Sequence, residues 1–159
     1  LIFTAATKTF NIAGCHTGTT IIPNPKLRSI YEKEHAAIGK TPNRFGMIMT
    51  EVAYREGKEW LDQLMLYLEN NKNIFTTSLR SLNEVKVFDL ESTYLVWVDF
   101  SNLKINQAEL ENMLVKEAGV APSFGAGFGK NSGKFARFNI ACRTEILDLA
   151  IRRLTKTFM

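Results

Sequence analysis

Near the start of the chain, Lys8 stands between two threonines, Thr7 and Thr9, with Thr4 just before them and an apolar run, Leu1-Ile2-Phe3, ahead of that. A lysine ammonium in water is strongly hydrated and a poor nucleophile. Taken out of water as the free amine, it attacks carbonyl carbons and forms Schiff bases. The flanking hydroxyls suit an anion such as a phosphate. Pattern alone does not settle the role of Lys8, because one cation among 20 Lys+Arg also reads as a solvated surface charge. The second residue of interest is Arg137, inside the alternating apolar segment Phe135-Ala136-Arg137-Phe138-Asn139-Ile140. An unpaired buried guanidinium is costly, so an arginine there calls for an anion, and its planar fork matches a carboxylate with two parallel hydrogen bonds. A structural salt bridge or a place on a solvated strand face remains open for it.

The glycine-rich stretch at residues 123–134 invites a nucleotide reading, which the spacing excludes. A GxGxxG pattern starting at Gly127 and Gly129 needs glycine at position 132, where Ser132 stands. A phosphate-binding loop of the GxxxxGK[ST] type needs glycine at 128, where Phe128 stands, and Phe135 follows Lys134 in place of Ser or Thr. What remains is a flexible loop able to close over a ligand. His16 and His35 have no metal-ligand spacing and no partner nucleophile, and no metal site is expected. Cys15 and Cys142 form no CxxC pair. Cys142 reads as a small buried hydrophobe.

The totals fit this picture. The 159 residues are enough for one domain or slightly more, and 45% hydrophobic with 23% charged residues is ordinary globular composition. The net charge is +4 with the basic residues scattered, so neither nucleic acid nor an anionic membrane is an expected partner. No apolar stretch reaches bilayer-spanning length. Two distant cysteines agree with a reducing, cytoplasmic setting. The chain opens without methionine on residues that read as the end of a strand, as in a chain numbered from partway through a protein.

These side chains need elements to hold them. Residues 1–5 read as a short buried strand with a turn at Lys8, and residues 11–22 as a second strand stopped by Pro23-Asn24-Pro25. Residues 26–37 read as a helix. The span 44–82 reads as a long helical region broken at Gly57, its stripe of Phe45, Ile48, Met49 and Val52 taken as core or helix packing. Residues 85–88 and 94–100 are β-branched and aromatic and read as paired strands. Asn106 with Glu109 has the spacing of a capping box, Gly119 ends that helix, and Thr144 is expected to cap a last one. This order predicts an α/β fold: a small, mainly antiparallel sheet covered on one side by helices.

With the elements in order, the segment Thr4-Ala5-Ala6-Thr7-Lys8-Thr9-Phe10-Asn11-Ile12-Ala13-Gly14 resembles the cofactor-lysine segment of fold-type I pyridoxal-phosphate enzymes, and most of all the MalY/PatB group of cystathionine β-lyases within the aminotransferase class I/II superfamily. The resemblance continues in order. It runs through Ile21-Ile22-Pro23-Asn24, Pro42-Asn43-Arg44-Phe45-Gly46, Gly57-Lys58-Glu59-Trp60-Leu61-Asp62 and Glu91-Ser92-Thr93-Tyr94-Leu95-Val96-Trp97, then Phe124-Gly125-Ala126-Gly127-Phe128-Gly129 and the Arg137 strand. Arg143 stands where the group usually has proline, and Gly14-Cys15-His16 replaces a more apolar continuation.

The resemblance implies that Lys8 forms the Schiff base with pyridoxal 5'-phosphate and later acts as general base, and that Arg137 holds the substrate α-carboxylate. It implies that Thr4 and Thr7 lie near the cofactor phosphate. Residues 1–40 would end the large cofactor domain, and residues 41–159 would form the C-terminal small α/β domain. Family members are more than twice this length, so the resemblance makes this the C-terminal part of a homodimeric enzyme, expected to be inactive in isolation. Its implied reaction is carbon–sulfur β-elimination from cystathionine- or cysteine-type amino acids. Transamination on the same fold, or a non-catalytic binding or regulatory domain, are the alternatives.

Overall fold

The structure is a computed structural model describing every residue from Leu1 to Met159. It divides into two compact units, Leu1–Leu64 and Met65–Met159. The proposed domain boundary near residue 40 falls within the first.

In the first unit, β1 (Ile2–Thr4) and β2 (Thr19–Ile21) pair antiparallel, with Phe3 opposite Thr20. Between them lie a single helical turn, α1 (Ala6–Thr9), and a 3-10 turn at Ala13–Cys15. Two expectations change here. The residues around Lys8 are helical rather than a plain turn, and only three residues of 11–22 are strand. Asn11 (φ 54°) and His16 (φ 46°) adopt left-handed backbone, which breaks an extended run on either side of the 3-10 turn. The first strand is also not buried, since Phe3 is 68% exposed. A ribbon of two three-residue strands is too small to bury its own faces.

Helix α2 (Pro25–Ile38) begins at Asn24, whose side chain accepts from the N–H groups of Lys26 and Leu27, and it ends at Gly39 with φ 66°. Asn and proline at the start and a left-handed glycine at the end are the expected punctuation. Helix α3 (Arg44–Glu56) is capped by Asn43, and α4 (Lys58–Arg80) follows Gly57 at the predicted break. The α3 stripe departs from the core reading: Phe45 is 75% exposed, and Ile48, Met49 and Val52 are exposed too.

The second unit has a four-stranded antiparallel sheet of order β3-β4-β6-β5, made of Lys86–Val87, Leu95–Asp99, Phe135–Asn139 and Ser123–Phe124. Strict alternation decides its faces. Val96, Val98, Ala136 and Phe138 are buried against Phe75 and Leu79 of α4, Leu110 and Leu114 of α5 (Gln107–Asn112) and its π-helical continuation, and Leu147, Ile151 and Leu154 of α6 (Thr144–Phe158). Each fully buried side chain of this size contributes about 1.5–3 kcal/mol before entropy is counted. The α/β sheet with helices on one face is therefore the expected one. The capping box also forms in both directions: Glu109 N–H donates to Asn106 Oδ1 at 3.0 Å, and Asn106 N–H to Glu109 Oε2 at 2.6 Å.

Thr144 does not cap α6. Arg143 holds the cap position without a side-chain bond, and the Thr144 hydroxyl bonds to Tyr67 Oη (3.0 Å) and donates to Asn71 Oδ1 (2.9 Å). Asn71 is fully buried, and its amide donates to the carbonyls of Ile140 (2.9 Å) and Cys142 (3.0 Å) just beyond β6. It lies four and eight residues before Phe75 and Leu79, on their buried stripe, so the helical spacing could have marked it. Asn71→Ala removes the side-chain donor to the Ile140 and Cys142 carbonyls and leaves the Thr144 hydroxyl with Tyr67 alone; it is expected to cost about 2–4 kcal/mol, read as a lower denaturant midpoint. A loss below about 0.5 kcal/mol would contradict this role.

Candidate active site

Lys8 is the third residue of α1 and is exposed, with no ion pair to any carboxylate. Two close approaches hold the short helix. Phe10, just past its end, stacks on Trp60 at 6.1 Å and meets Tyr54 edge-on at 5.7 Å. Gly57 lets that ring in, for a Cβ there would lie 2.6 Å from Phe10 Cε1. Gly46 does the same for the 3-10 turn: a Cβ on it would collide with Thr17 Oγ1 and sit 2.6 Å from the Cys15 carbonyl oxygen. A glycine three residues into an amphipathic helix was the available sign of such contact. Beside them, Phe10, Ile12, Ile48, Met49, Val52 and Trp60 line an open apolar groove of about 330 Å³.

The threonines differ in what their hydroxyls do. Thr17 donates to the Cys15 carbonyl at 2.9 Å, and Thr20 pairs with Tyr31 Oη at 3.2 Å. The hydroxyls of Thr4, on β1, and Thr7, on α1 beside Lys8, have no partner within the chain. The segment thus carries an unpaired lysine and, at Thr4 and Thr7, two unengaged hydroxyls. That chemistry fits an aldehyde together with an anion.

Arg137 lies in the second unit, on the sheet face opposite the core. Strand pairing sets Trp97 on one side of it and Ser123 on the other. Its guanidinium carbon sits 4.6 Å from the centroid of the Phe128 ring, and Nη2 donates to Ser123 Oγ at 3.4 Å. Phe128 meets Trp97 edge-on at 5.4 Å, and Trp97 stacks on Phe135 at 5.6 Å. No carboxylate of the chain pairs with Arg137, and its Nε is buried with no acceptor. The open alternatives are thereby narrowed: the structural salt bridge is absent, and the half-buried guanidinium lies over the Phe128 ring. An orphaned donor in such a seat is what an incoming carboxylate would satisfy. The sequence places Phe128 in the glycine loop but gives it no role, an aromatic amid loop glycines being its only signal. Burial pushes the thiol of nearby-numbered Cys142 above its ordinary range, consistent with an inert structural cysteine.

No group of acidic, histidine or cysteine side chains in the structure could hold a metal ion, and no helix is long and apolar enough to cross a membrane. No protein-family model matches the chain. Curated relatives do. It is 33% identical over 153 residues to the cystathionine β-lyase PatB of Bacillus subtilis, covering 94% of this chain and 39% of PatB. It is 32% identical to a cystathionine β-lyase of Corynebacterium glutamicum, covering 97% of this chain and 41% of that one. Among solved structures, cystalysin from Treponema denticola, which contains pyridoxal 5'-phosphate, superposes with a TM-score of 0.88 at 32% identity, over 98% of this chain and 40% of cystalysin. The chain therefore spans about two-fifths of the length of the relatives it matches.

Proposed function

We propose, from a chain that is MalY/PatB-like in sequence and has the fold of the C-terminal part of fold-type I pyridoxal-phosphate enzymes, that it carries the lysine and the carboxylate-binding arginine of a carbon–sulfur β-lyase acting on cystathionine- or cysteine-type amino acids. In this reading residues 1–40 end the large cofactor domain and residues 41–159 form the small domain. The full-length protein would be a cytoplasmic homodimer.

The observation that carries the reading is Arg137. Its buried, unpartnered Nε and aromatic seat describe a cation kept for an external anion. The guanidinium binds the α-carboxylate through two parallel N–H···O bonds and fixes which bond at Cα stands ready to break. The amine of Lys8 holds the cofactor, then takes the Cα proton as general base. Thr4 and Thr7 donate their hydroxyls to the phosphate. When bound, pyridoxal phosphate supplies an aldehyde for the amino group and a ring that stabilises negative charge at Cα. Lys8 would hold the Cα proton and could return it to the departing β-thiolate, the overall change being amino acid and water to thiol, pyruvate and ammonia.

Transamination begins with the same two residues, so the outcome must be measured. Full-length protein with pyridoxal phosphate is expected to release pyruvate from cystathionine with no keto acid added. A strict requirement for a keto-acid acceptor would overturn the lyase reading in favour of an aminotransferase.

A further inference from the structure

A guanidinium has a polar edge that binds carboxylates and two faces that do not. The guanidinium carbon of Arg137 lies over the Phe128 ring, 4.6 Å from its centroid. The ring is brought there by the glycine-rich loop, whose base is closely packed. At the base, a Cβ on Gly125 would collide with the Ser132 carbonyl oxygen and lie 2.8 Å from that of Phe135. The Ser132 N–H bonds to the Gly129 carbonyl at 3.2 Å, and that of Phe135 to the Ser132 carbonyl at 3.0 Å. A 3-10 turn at Gly125–Phe128 then carries Phe128 over the sheet face. Within this turn a Cβ on Gly127 would meet nothing within 4 Å, and Phe128 itself is 51% exposed. Half of a large apolar ring is thus left in water, and its partners are the guanidinium and, in a T-shaped pair, Trp97.

We propose that Phe128 is a positioning residue for Arg137: through the cation–π contact under its guanidinium it holds the hydrogen-bonding edge aimed at the substrate carboxylate. Ser123 marks the same orientation from the other side through Nη2, and Trp97 keeps the Phe128 ring in place from below. An arginine side chain free to rotate loses that aim and must be ordered at each binding event; one already held over a ring is preorganised. The inference rests on the carboxylate role of Arg137 but adds a residue that never touches the substrate.

The test uses full-length protein loaded with pyridoxal phosphate and compares Phe128→Ala, Phe128→Leu and Phe128→Tyr. Ala and Leu are expected to raise KM for an α-amino acid substrate about three- to thirtyfold with kcat within about twofold, while Tyr, which keeps the π-face, stays within about twofold of wild type. Leu keeps apolar cover without the ring, so a normal KM for Phe128→Leu overturns the cation–π role. With the matching amino-acid amide, which has no carboxylate, Phe128→Ala should change KM by less than about twofold. An equal penalty on acid and amide overturns the proposal. Adding Phe128→Ala to Arg137→Ala should cost nothing further, and full additivity of the two also overturns it. The two readings fail separately. Unchanged carboxylate binding in Arg137→Ala defeats the proposed function, whereas a defect in Arg137→Ala with none in Phe128→Ala or Phe128→Leu defeats this inference alone.

Discussion

Lys8→Ala in the full-length protein is expected to lower kcat by about 10²–10⁴-fold while leaving the fold intact. The substitution removes a general base, whose contribution is typically of that size. It also removes the amine proposed to hold the cofactor, so the visible absorbance band expected on adding pyridoxal phosphate should be lost with it. Stability should barely move. Lys8 is exposed and makes no ion pair, so no packing or charge partner is left behind. Lys8→Arg, which keeps the charge but cannot give up a proton at neutral pH, is expected to be as inactive as alanine. Full activity in Lys8→Ala would move the chemistry to another residue.

Arg137→Ala is expected to reduce kcat/KM for amino-acid substrates about 10- to 100-fold, the range of a charge-assisted bidentate contact. Arg137→Lys should recover only part of this, because an ammonium offers a point charge in place of a fork. The stability cost should be small, within about 1 kcal/mol, since the wild-type Nε already lacks a partner and its removal relieves an unsatisfied donor. Activity lost at almost no cost in stability is the signature of a group kept for a ligand. A large drop in stability with unchanged KM would instead make Arg137 structural.

The second unit could be read closely because its sequence pattern is also its burial pattern. Val96 and Val98 alternate with Trp97 and Asp99 as the two sheet faces do, and Asn106 with Glu109 forms the expected box. Its misreadings come from tertiary competition. Thr144 has the right type to cap α6, but Asn71 and Tyr67 across the core take its hydroxyl. The first unit was less legible for a different reason. The apolar residues of β1 and α3 have the spacing of a packed face, yet Phe3, Phe45 and Ile48 lie exposed, and periodicity says nothing about what covers a face. The left-handed Asn11 and His16 that interrupt residues 11–22 carry no strong sequence sign, as neither is glycine.

The candidate site divides in the same way. Lys8 was visible through the order of its neighbours rather than through any local chemistry, and Arg137 through its intrusion into an apolar strand. Phe128 and Asn71 needed coordinates, the first because loop conformation is weakly encoded, the second because one polar residue on an apolar stripe looks like a lapse until its carbonyl partners are seen.

The most direct test is to reduce the full-length protein with borohydride in the presence of pyridoxal phosphate, digest it and locate the added mass by peptide mass spectrometry. The pyridoxyl group is predicted on the peptide that contains Lys8 and on no other. Its attachment to a different lysine, with the Lys8 peptide unmodified, would contradict the account.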